Sequence, residues 1–130
     1  MFNGKLEDWV LWQKAITLLG EFCRILETDE YVFFNYQIKD DSLSIINNLV
    51  EGFESKNNQD CISFLSQAKT ISEGVISKIM LAKELSKITK DEATVLLYLI
   101  DELMVLITDT IEMISVKPLV VADMKGFSRN

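Results

Sequence analysis

The sequence predicts an all-α protein folded as an up-down-up-down four-helix bundle. Apolar residues recur at helical 3-4 spacing in four long segments, and no segment shows the alternation of a β-strand. The single proline, Pro118, lies near the end of the chain, where it interrupts none of the four segments. We therefore expect a bundle domain over residues 1–117, followed by a flexible C-terminal tail over residues 118–130.

The first predicted helix carries two neighbouring apolar lines. One line consists of Trp9, Trp12, Ile16, Leu19, Cys23 and Leu26. The other consists of Leu11, Ala15, Leu18, Phe22 and Ile25. A helix in a monomeric bundle needs about three apolar positions per heptad. The first helix therefore has more apolar surface than one core face requires.

The second predicted helix begins after Thr28 and Asp29, either of which can cap it, and ends at the polar turn over residues 55–58. It also carries two apolar lines, namely Ile38, Ile45 and Leu49, and Leu43, Ile46, Val50 and Phe53. The third helix extends from about residue 59 to 85 with Leu65, Ala68, Val75, Ile79 and Ala82 in register. Gly74 in its middle costs about 1 kcal/mol relative to alanine. We interpret this glycine as permitting close helix approach.

The fourth predicted helix opens with a capping box. Thr89 and Glu92 have the Thr-x-x-Glu spacing in which each side chain accepts from the backbone N–H of the other. One apolar line follows, with Ala93, Leu97, Ile100, Met104, Ile107, Ile111 and Ile114, flanked by a second of Leu96, Leu99, Leu103, Leu106 and Met113. Because Pro118 comes next, we expect this helix to end before it.

The doubled apolar lines of the first and fourth helices predict self-association. Surplus apolar surface on a soluble, acidic chain indicates a second buried interface, and another copy of the chain is the simplest partner. The alternative is a broad core face with a few exposed leucines, which is common in monomers.

Composition excludes several kinds of chemistry. The chain has no histidine, so Ser-His-Asp triads, Cys-His pairs and His-ligated metals are excluded. Its 13 basic and 20 acidic residues give a net charge of −7, which argues against a broad phosphate-binding surface. A hydrolase using paired carboxylates, such as Glu51 with Asp41 or Glu54, is disfavoured because no nucleophile, glycine loop or metal spacing accompanies them. We expect no catalytic residue, metal or cofactor.

The cysteines and the apolar segments indicate a cytoplasmic protein. We interpret Cys23 and Cys61 as small buried hydrophobes at opposite ends of the bundle, too far apart for a disulfide. The N-terminus lacks the apolar run of a signal peptide. The longest apolar stretch, residues 95–107, is interrupted by Asp101 and Glu102, so we expect no membrane span.

A line of short polar residues follows one face of the second helix. It consists of Gln37, Asp41, Ser44, Asn48 and Glu51, spaced 4, 3, 4 and 3 residues apart. Solvated helix faces are usually rich in Lys and Glu, whereas these side chains make directional hydrogen bonds. We interpret this polar stripe as a candidate contact with a partner helix, a subunit or a ligand. The alternative is an ordinary exposed face.

Three parts of the sequence resemble a known bacterial family. They are Leu11-Trp12-Gln13-Lys14-Ala15, the segment 37–52 with its Gln, Ser-Ile, Asn and Glu-Gly positions, and the third helix with Phe64-Leu65, Ala68 and Leu81-Ala82-Lys83-Glu84-Leu85. The family is the four-helix bundle proteins of 23S ribosomal RNA intervening sequences. The accessory variability proteins of diversity-generating retroelements are its distant relatives. The likeness covers roughly residues 6–115.

The resemblance implies an up-down bundle that assembles as a ring-like homopentamer and has no known enzymatic activity. The family's polar positions on the second helix match Gln37, Ser44, Asn48 and Glu51, four of the five residues in the polar stripe. The retroelement relatives bind a reverse transcriptase and RNA through a basic surface, so an accessory factor with such partners is the alternative function.

Departures from the family pattern weaken the nucleic-acid alternative. The family often has Arg-Arg-Ala where this chain has Lys39-Asp40-Asp41, and Gly-Arg where it has Glu54-Ser55. Several bases of the second helix are thus lost or reversed in sign. The remaining candidate basic surface consists of Lys69, Lys83, Lys87 and Lys90.

Overall fold

A computed structural model describes residues 4–25, 27 and 32–125. A 3-10 turn at Leu6–Asp8 precedes four α-helices, α1 at Val10–Ile25, α2 at Val32–Glu54, α3 at Asn58–Glu84 and α4 at Lys90–Lys125. These residues contain no β-strand, so the predicted all-α, four-helix class is confirmed. The caps predicted at Thr28 and Asp29, and the apolar position Leu26, lie outside the described residues.

The helices contact one another in ring order. α1 packs against α2 and α4, while α3 packs against α2 and α4. The Trp9 ring, just before α1, lies 5.5 Å from the Phe53 ring at the end of α2, as antiparallel neighbours require. These contacts are consistent with the up-down-up-down order, which stays a prediction for the bundle as a whole.

One apolar line from each of α1, α2 and α3, and parts of both predicted lines of α4, form the core. The lines are Leu11, Ala15, Leu18, Phe22 and Ile25 of α1, Ile38, Ile45 and Leu49 of α2, Cys61, Leu65, Ala68, Val75, Ile79 and Ala82 of α3, and Ala93, Leu96, Ile100, Leu103, Ile107 and Ile114 of α4. In α1 only the second predicted line is buried. Ile16 of the other line is 42% exposed, and Cys23 is exposed as well.

The two predicted lines of α4 merge into one broad face. Leu97 and Ile111 of one line, and Leu99 and Leu106 of the other, are partly buried against the core. Because α4 contacts both α1 and α3, both of its flanks are covered. A wide core face therefore accounts for much of the apolar surplus of α4, though not for that of α1.

Close approach of two helices occurs at Gly52. A Cβ built on this buried residue of α2 would lie 3.5 Å from Leu65 Cδ2 and 3.7 Å from the Cys61 carbonyl oxygen of α3. A Cβ at Gly74 would meet no atom within 4 Å. These are ordinary van der Waals distances, so α2 and α3 lie close together at Gly52 but would still accept a Cβ there, and within the chain Gly74 marks no close approach.

Local side-chain and backbone bonds define both ends of the α3–α4 connection. The Ser86 N–H donates to Lys83 O and the Lys87 N–H to Ala82 O, with Ser86 at φ 58°. This is a Schellman arrangement with serine at the left-handed position that glycine usually occupies. The predicted capping box then starts α4, with Thr89 N–H donating to Glu92 Oε1 at 2.8 Å and Glu92 N–H to Thr89 Oγ1 at 3.0 Å. The capping-box prediction is confirmed.

The end of α4 differs from the expectation. The helix continues through Pro118 to Lys125, so the prediction that it ends before the proline is wrong. A proline removes one backbone donor and crowds the carbonyl four residues earlier, at a cost of about 3 kcal/mol. This is a penalty that a helix can accommodate by bending. The flexibility of the tail stays a prediction, and residues 126–130 lie outside the described residues.

The two cysteines have different environments. Both are free thiols, but only Cys61 is buried, so the interpretation of Cys23 as a buried hydrophobe is wrong. Cys23 belongs to the apolar line of α1 that faces away from the core. Burial raises the pKa of the Cys61 thiol to about 11, which keeps it protonated and unreactive near neutral pH.

We expect thiol reagents to distinguish the two cysteines. Under native conditions a colourless disulfide reagent that releases a chromophore should modify Cys23 before Cys61, and mass spectrometry should locate the first modified thiol. Both thiols should react in denaturant. Rapid native modification of Cys61, with Cys23 present or replaced by serine, would contradict the burial of Cys61.

We expect Thr89→Ala to lower the free energy of unfolding by about 1 kcal/mol, because it removes the side chain that satisfies an α4 amide. Thr89→Ser keeps the hydroxyl and is the control. Urea titration followed by circular dichroism measures both. Equal stability of the alanine and serine variants would mean that the capping box does not stabilise α4.

Candidate functional site

The polar stripe lies along the edge of α2, between the core and solvent. Helical geometry keeps its five positions on one side, because α2 is continuous from Val32 to Glu54. Gln37, Asp41 and Asn48 are half-buried, whereas Ser44 and Glu51 are exposed. The stripe is therefore partly available to a partner and partly used within the chain.

Asp41 is the stripe residue that the chain itself uses. Its Oδ2 accepts a hydrogen bond from Lys78 Nζ of α3 at 2.5 Å, and both side chains are part-buried. This ion pair connects α2 to α3 on the side of α2 that carries the polar stripe. Lys78 was not among the residues singled out from sequence, because 37 positions separate it from Asp41 and no local pattern joins them.

The rest of the stripe offers exposed polar groups. Asn48 Nδ2 donates to the Ser44 carbonyl one turn earlier, and the Ser55 hydroxyl donates to the Glu51 carbonyl. The hydroxyl of Ser44 and the carboxylate of Glu51 face solvent on the same side of the helix. These are the stripe groups best placed to bond a partner.

The candidate basic surface is divided between two places. Lys83, Lys87 and Lys90 line one shallow depression at the α3–α4 connection, together with Ser86, Ile88, Thr89 and Glu92. Lys69 lines a different depression, beside Asp101 and Asp109 of α4. Fourteen helical residues, a rise of about 21 Å, separate Lys69 from Lys83. The structure thus brings three of the four lysines together and places the fourth among acids.

One further ion pair joins α1 to α4. Lys14 Nζ lies 2.8 Å from Glu102 Oε1, and the hydrogen bond and negative charge of Glu102 raise the pKa of Lys14. Within α1, the hydrogen bond from Arg24 lowers the pKa of Glu21. Both pairs are solvent-accessible and orient side chains more than they stabilise the fold.

Apolar side chains reach solvent in several places, among them Met80, Leu81 and Leu85 of α3, and two further surfaces are named here. The first, here called the α1–α2 ridge, consists of Trp12, Ile16, Leu19 and Cys23 of α1 with Tyr36, Leu43 and Val50 of α2. The second, here called the α4 outer face, consists of Val95, Tyr98, Val105, Met113 and Val116. Leu43 and Val105 are each 52% exposed, and Tyr98 is 69% exposed. The ridge contains the surplus line of α1 that the sequence indicated, whereas most of the α4 outer face belongs to neither predicted line.

The described segments hold no group of three or more His, Cys, Asp or Glu side chains arranged to bind a metal ion. The carboxylates considered for acid-base chemistry are engaged or open to water: Asp41 binds Lys78, and Glu51 and Glu54 are exposed. No helix in the described part of the chain is long and apolar enough to cross a bilayer.

The fold and its surfaces define an all-α four-helix bundle whose prominent surface features are exposed apolar side chains and a polar stripe on the helices. The chain belongs to the 23S rRNA-intervening sequence protein family, whose model matches residues 7–109. The match extends from the 3-10 turn through most of α4 and covers well over half of the chain, so the resemblance carried by α1, α2 and α3 is confirmed. No curated protein matches the sequence.

We expect Asp41 and Lys78 to be energetically coupled. In a double-mutant cycle with Asp41→Asn and Lys78→Gln, the coupling should be about 0.5–1 kcal/mol, because the pair is only partly screened by water. Chemical denaturation of the four proteins gives this value. Glu21 and Arg24, a pair within one exposed turn, provide the comparison and should show weaker coupling. Additive effects at positions 41 and 78 would show that the contact does not join α2 to α3.

Proposed function

We propose that this chain is a non-enzymatic member of its family that acts through protein–protein interaction, and that it self-associates, most simply as a homopentamer. The observation that carries the proposal is the pair of solvent-facing apolar surfaces, the α1–α2 ridge and the α4 outer face. We also propose that it works in the cytoplasm, as its sequence indicates.

The argument for self-association is the amount and placement of exposed apolar surface. One apolar patch of about 300–600 Å² is ordinary on a monomer. Here two surfaces occur on different sides of the bundle, separated by the flank of α1 that carries the Lys14–Glu102 pair. An acidic chain of 130 residues gains little from keeping both in water.

The polar stripe supports the same interpretation. Its exposed members, Ser44 and Glu51, have polar groups open to a partner, as the polar rim of an interface does. In this proposal, substitution of Asn48 or Glu51 disturbs assembly or stability, and no substrate is bound there.

The lysines give less support to the alternative, an accessory factor that binds a reverse transcriptase or nucleic acid. Lys83, Lys87 and Lys90 share their depression with Glu92, and Lys69 lies beside Asp101 and Asp109. Lys and Arg bind a phosphate backbone by neutralising its charge, and neighbouring carboxylates oppose this. We therefore favour a protein partner, and a second copy of the chain before any other.

The decisive measurement is the mass of the purified protein in solution. After nuclease treatment and a high-salt wash, light scattering and native mass spectrometry should give a multiple of 14.9 kDa, with five copies expected. The high-salt wash is the control for assembly held together by bound nucleic acid. A species of 14.9 kDa that persists at high concentration would overturn the proposal.

A further inference from the structure

We propose that the α4 outer face binds an α-helix of a different protein, one whose contact side alternates aliphatic residues with Lys or Arg turn by turn. This inference rests on the proposed function, interaction through helix surfaces, and names the class of partner that one of those surfaces takes. It is carried by the order of side chains along α4, by the depressions beside Val105 and by the charges of the other helices.

Apolar and acidic side chains alternate along the outer side of α4. They form a row of Tyr98, Asp101, Val105, Asp109 and Met113, spaced 3, 4, 4 and 4 residues apart, so they share one side of the helix. All five are exposed. Along the helix axis Tyr98 and Val105 are about 10 Å apart, and Asp101 and Asp109 about 12 Å. A helix packed along this row therefore meets an apolar side chain and a carboxylate in successive turns.

Two shallow depressions beside the row give the side chains of a partner a place to insert. Asp101 and Val105 border both of them. The depression on the α3 side is also lined by Met104 and Asp109, and the one on the α1 side by Tyr98 and Leu106. Each depression therefore places apolar lining next to a carboxylate. This lining suits an aliphatic side chain that is followed, one turn along, by a cation.

The lysines of neighbouring helices do not cancel the acidic character of this face. Lys14 lines the depression on the α1 side, but its Nζ lies 2.8 Å from Glu102 Oε1 and is already paired. Lys69 lines the depression on the α3 side and offsets one of the two carboxylates there, Asp101 and Asp109. A net negative charge remains, which attracts a cationic partner and repels an acidic one.

A second copy of this chain does not supply the complementary row. Within the described ranges the exposed charged residues of α2 and α3 are all acids, namely Asp40, Glu51 and Glu54 of α2 and Asp60, Glu73 and Glu84 of α3. The two bases of α1, Lys14 and Arg24, are each paired with a glutamate of the same chain. Contact of the α4 outer face with α2 or α3 of another copy would bring carboxylates together. The partner is therefore a different protein.

The probe is a fluorescent, alanine-rich helical peptide with one face on which leucine and lysine alternate turn by turn. Fluorescence anisotropy with the full chain should show saturable binding that weakens as salt is raised. A peptide of the same composition, with its leucines at one end and its lysines at the other, should bind about tenfold more weakly. A peptide with glutamate in place of lysine should not bind. Equal binding of the two lysine peptides would overturn the inference, as would failure of the first to bind.

Variants of the chain locate the binding. Val105→Ser removes an apolar contact without adding charge and should weaken binding of the alternating peptide several-fold. Leu81→Ser on α3 is the matched control, because Leu81 is 50% exposed and Val105 52%. It should bind the peptide like the unaltered chain, and circular dichroism checks that both variants fold. Equal loss of binding in the two variants would overturn the inference.

A second pair of variants separates the row from the overall charge. Asp101→Asn combined with Asp109→Asn should weaken binding and reduce its salt dependence. Asp40→Asn combined with Glu54→Gln on α2 removes the same number of charges and should leave binding unchanged. Equal weakening by both combinations would show general attraction to an acidic chain and overturn the inference. The mass measurement described above tests self-association separately, because it needs no peptide.

Discussion

The bundle depends on burial of an apolar face of every helix in a common core. The first and last helices both contribute to this core, α1 with Leu11 to Ile25 and α4 with Ala93 to Ile114. Because α1 also packs against α4, the four helices form a closed ring. Each helix then has two flanks, and a flank is covered only where a neighbour packs beside it. The rest of the surface follows from that constraint. α4 buries parts of both of its lines between α1 and α3, whereas α1 leaves Ile16 and Cys23 of its second line exposed.

Specific polar contacts orient the helices once the core has formed. The Asp41–Lys78 pair joins α2 to α3, and the Lys14–Glu102 pair joins α1 to α4. At Gly52 the end of α2 lies against Cys61 and Leu65 at the start of α3. The polar stripe of α2 is thus a mixed feature, in which Asp41 contributes to the fold and Ser44 and Glu51 remain open to a partner.

The sequence was most informative where local chemistry decides the structure. The capping box of Thr89 and Glu92 was predictable because both bonds lie within one turn. The core line of α3 was predictable because only one line was present. In α1 either of two apolar lines could face the core. Which one does depends on the positions of α2 and α4, and the spacing of apolar residues in α1 does not specify those positions. The exposure of Cys23 follows from the same choice.

The division of the lysines was also not predictable, because the surroundings of Lys69 are set by α4. The continuation of α4 past Pro118 shows that a proline is an energetic cost to a helix and does not always end it.

The connection between α3 and α4 has a consequence for the order in which the chain folds. Both of its ends are fixed by bonds within a few residues, on one side the Ser86 and Lys87 amides and on the other the Thr89 and Glu92 pair. Helical hairpins with such short-range contacts form early, because little chain entropy is lost in closing them. The left-handed serine at Ser86 slightly opposes this closure. Residues 55–57 connect α2 to α3 by an equally short path, so α3 is joined to both of its packing neighbours at little cost in chain entropy.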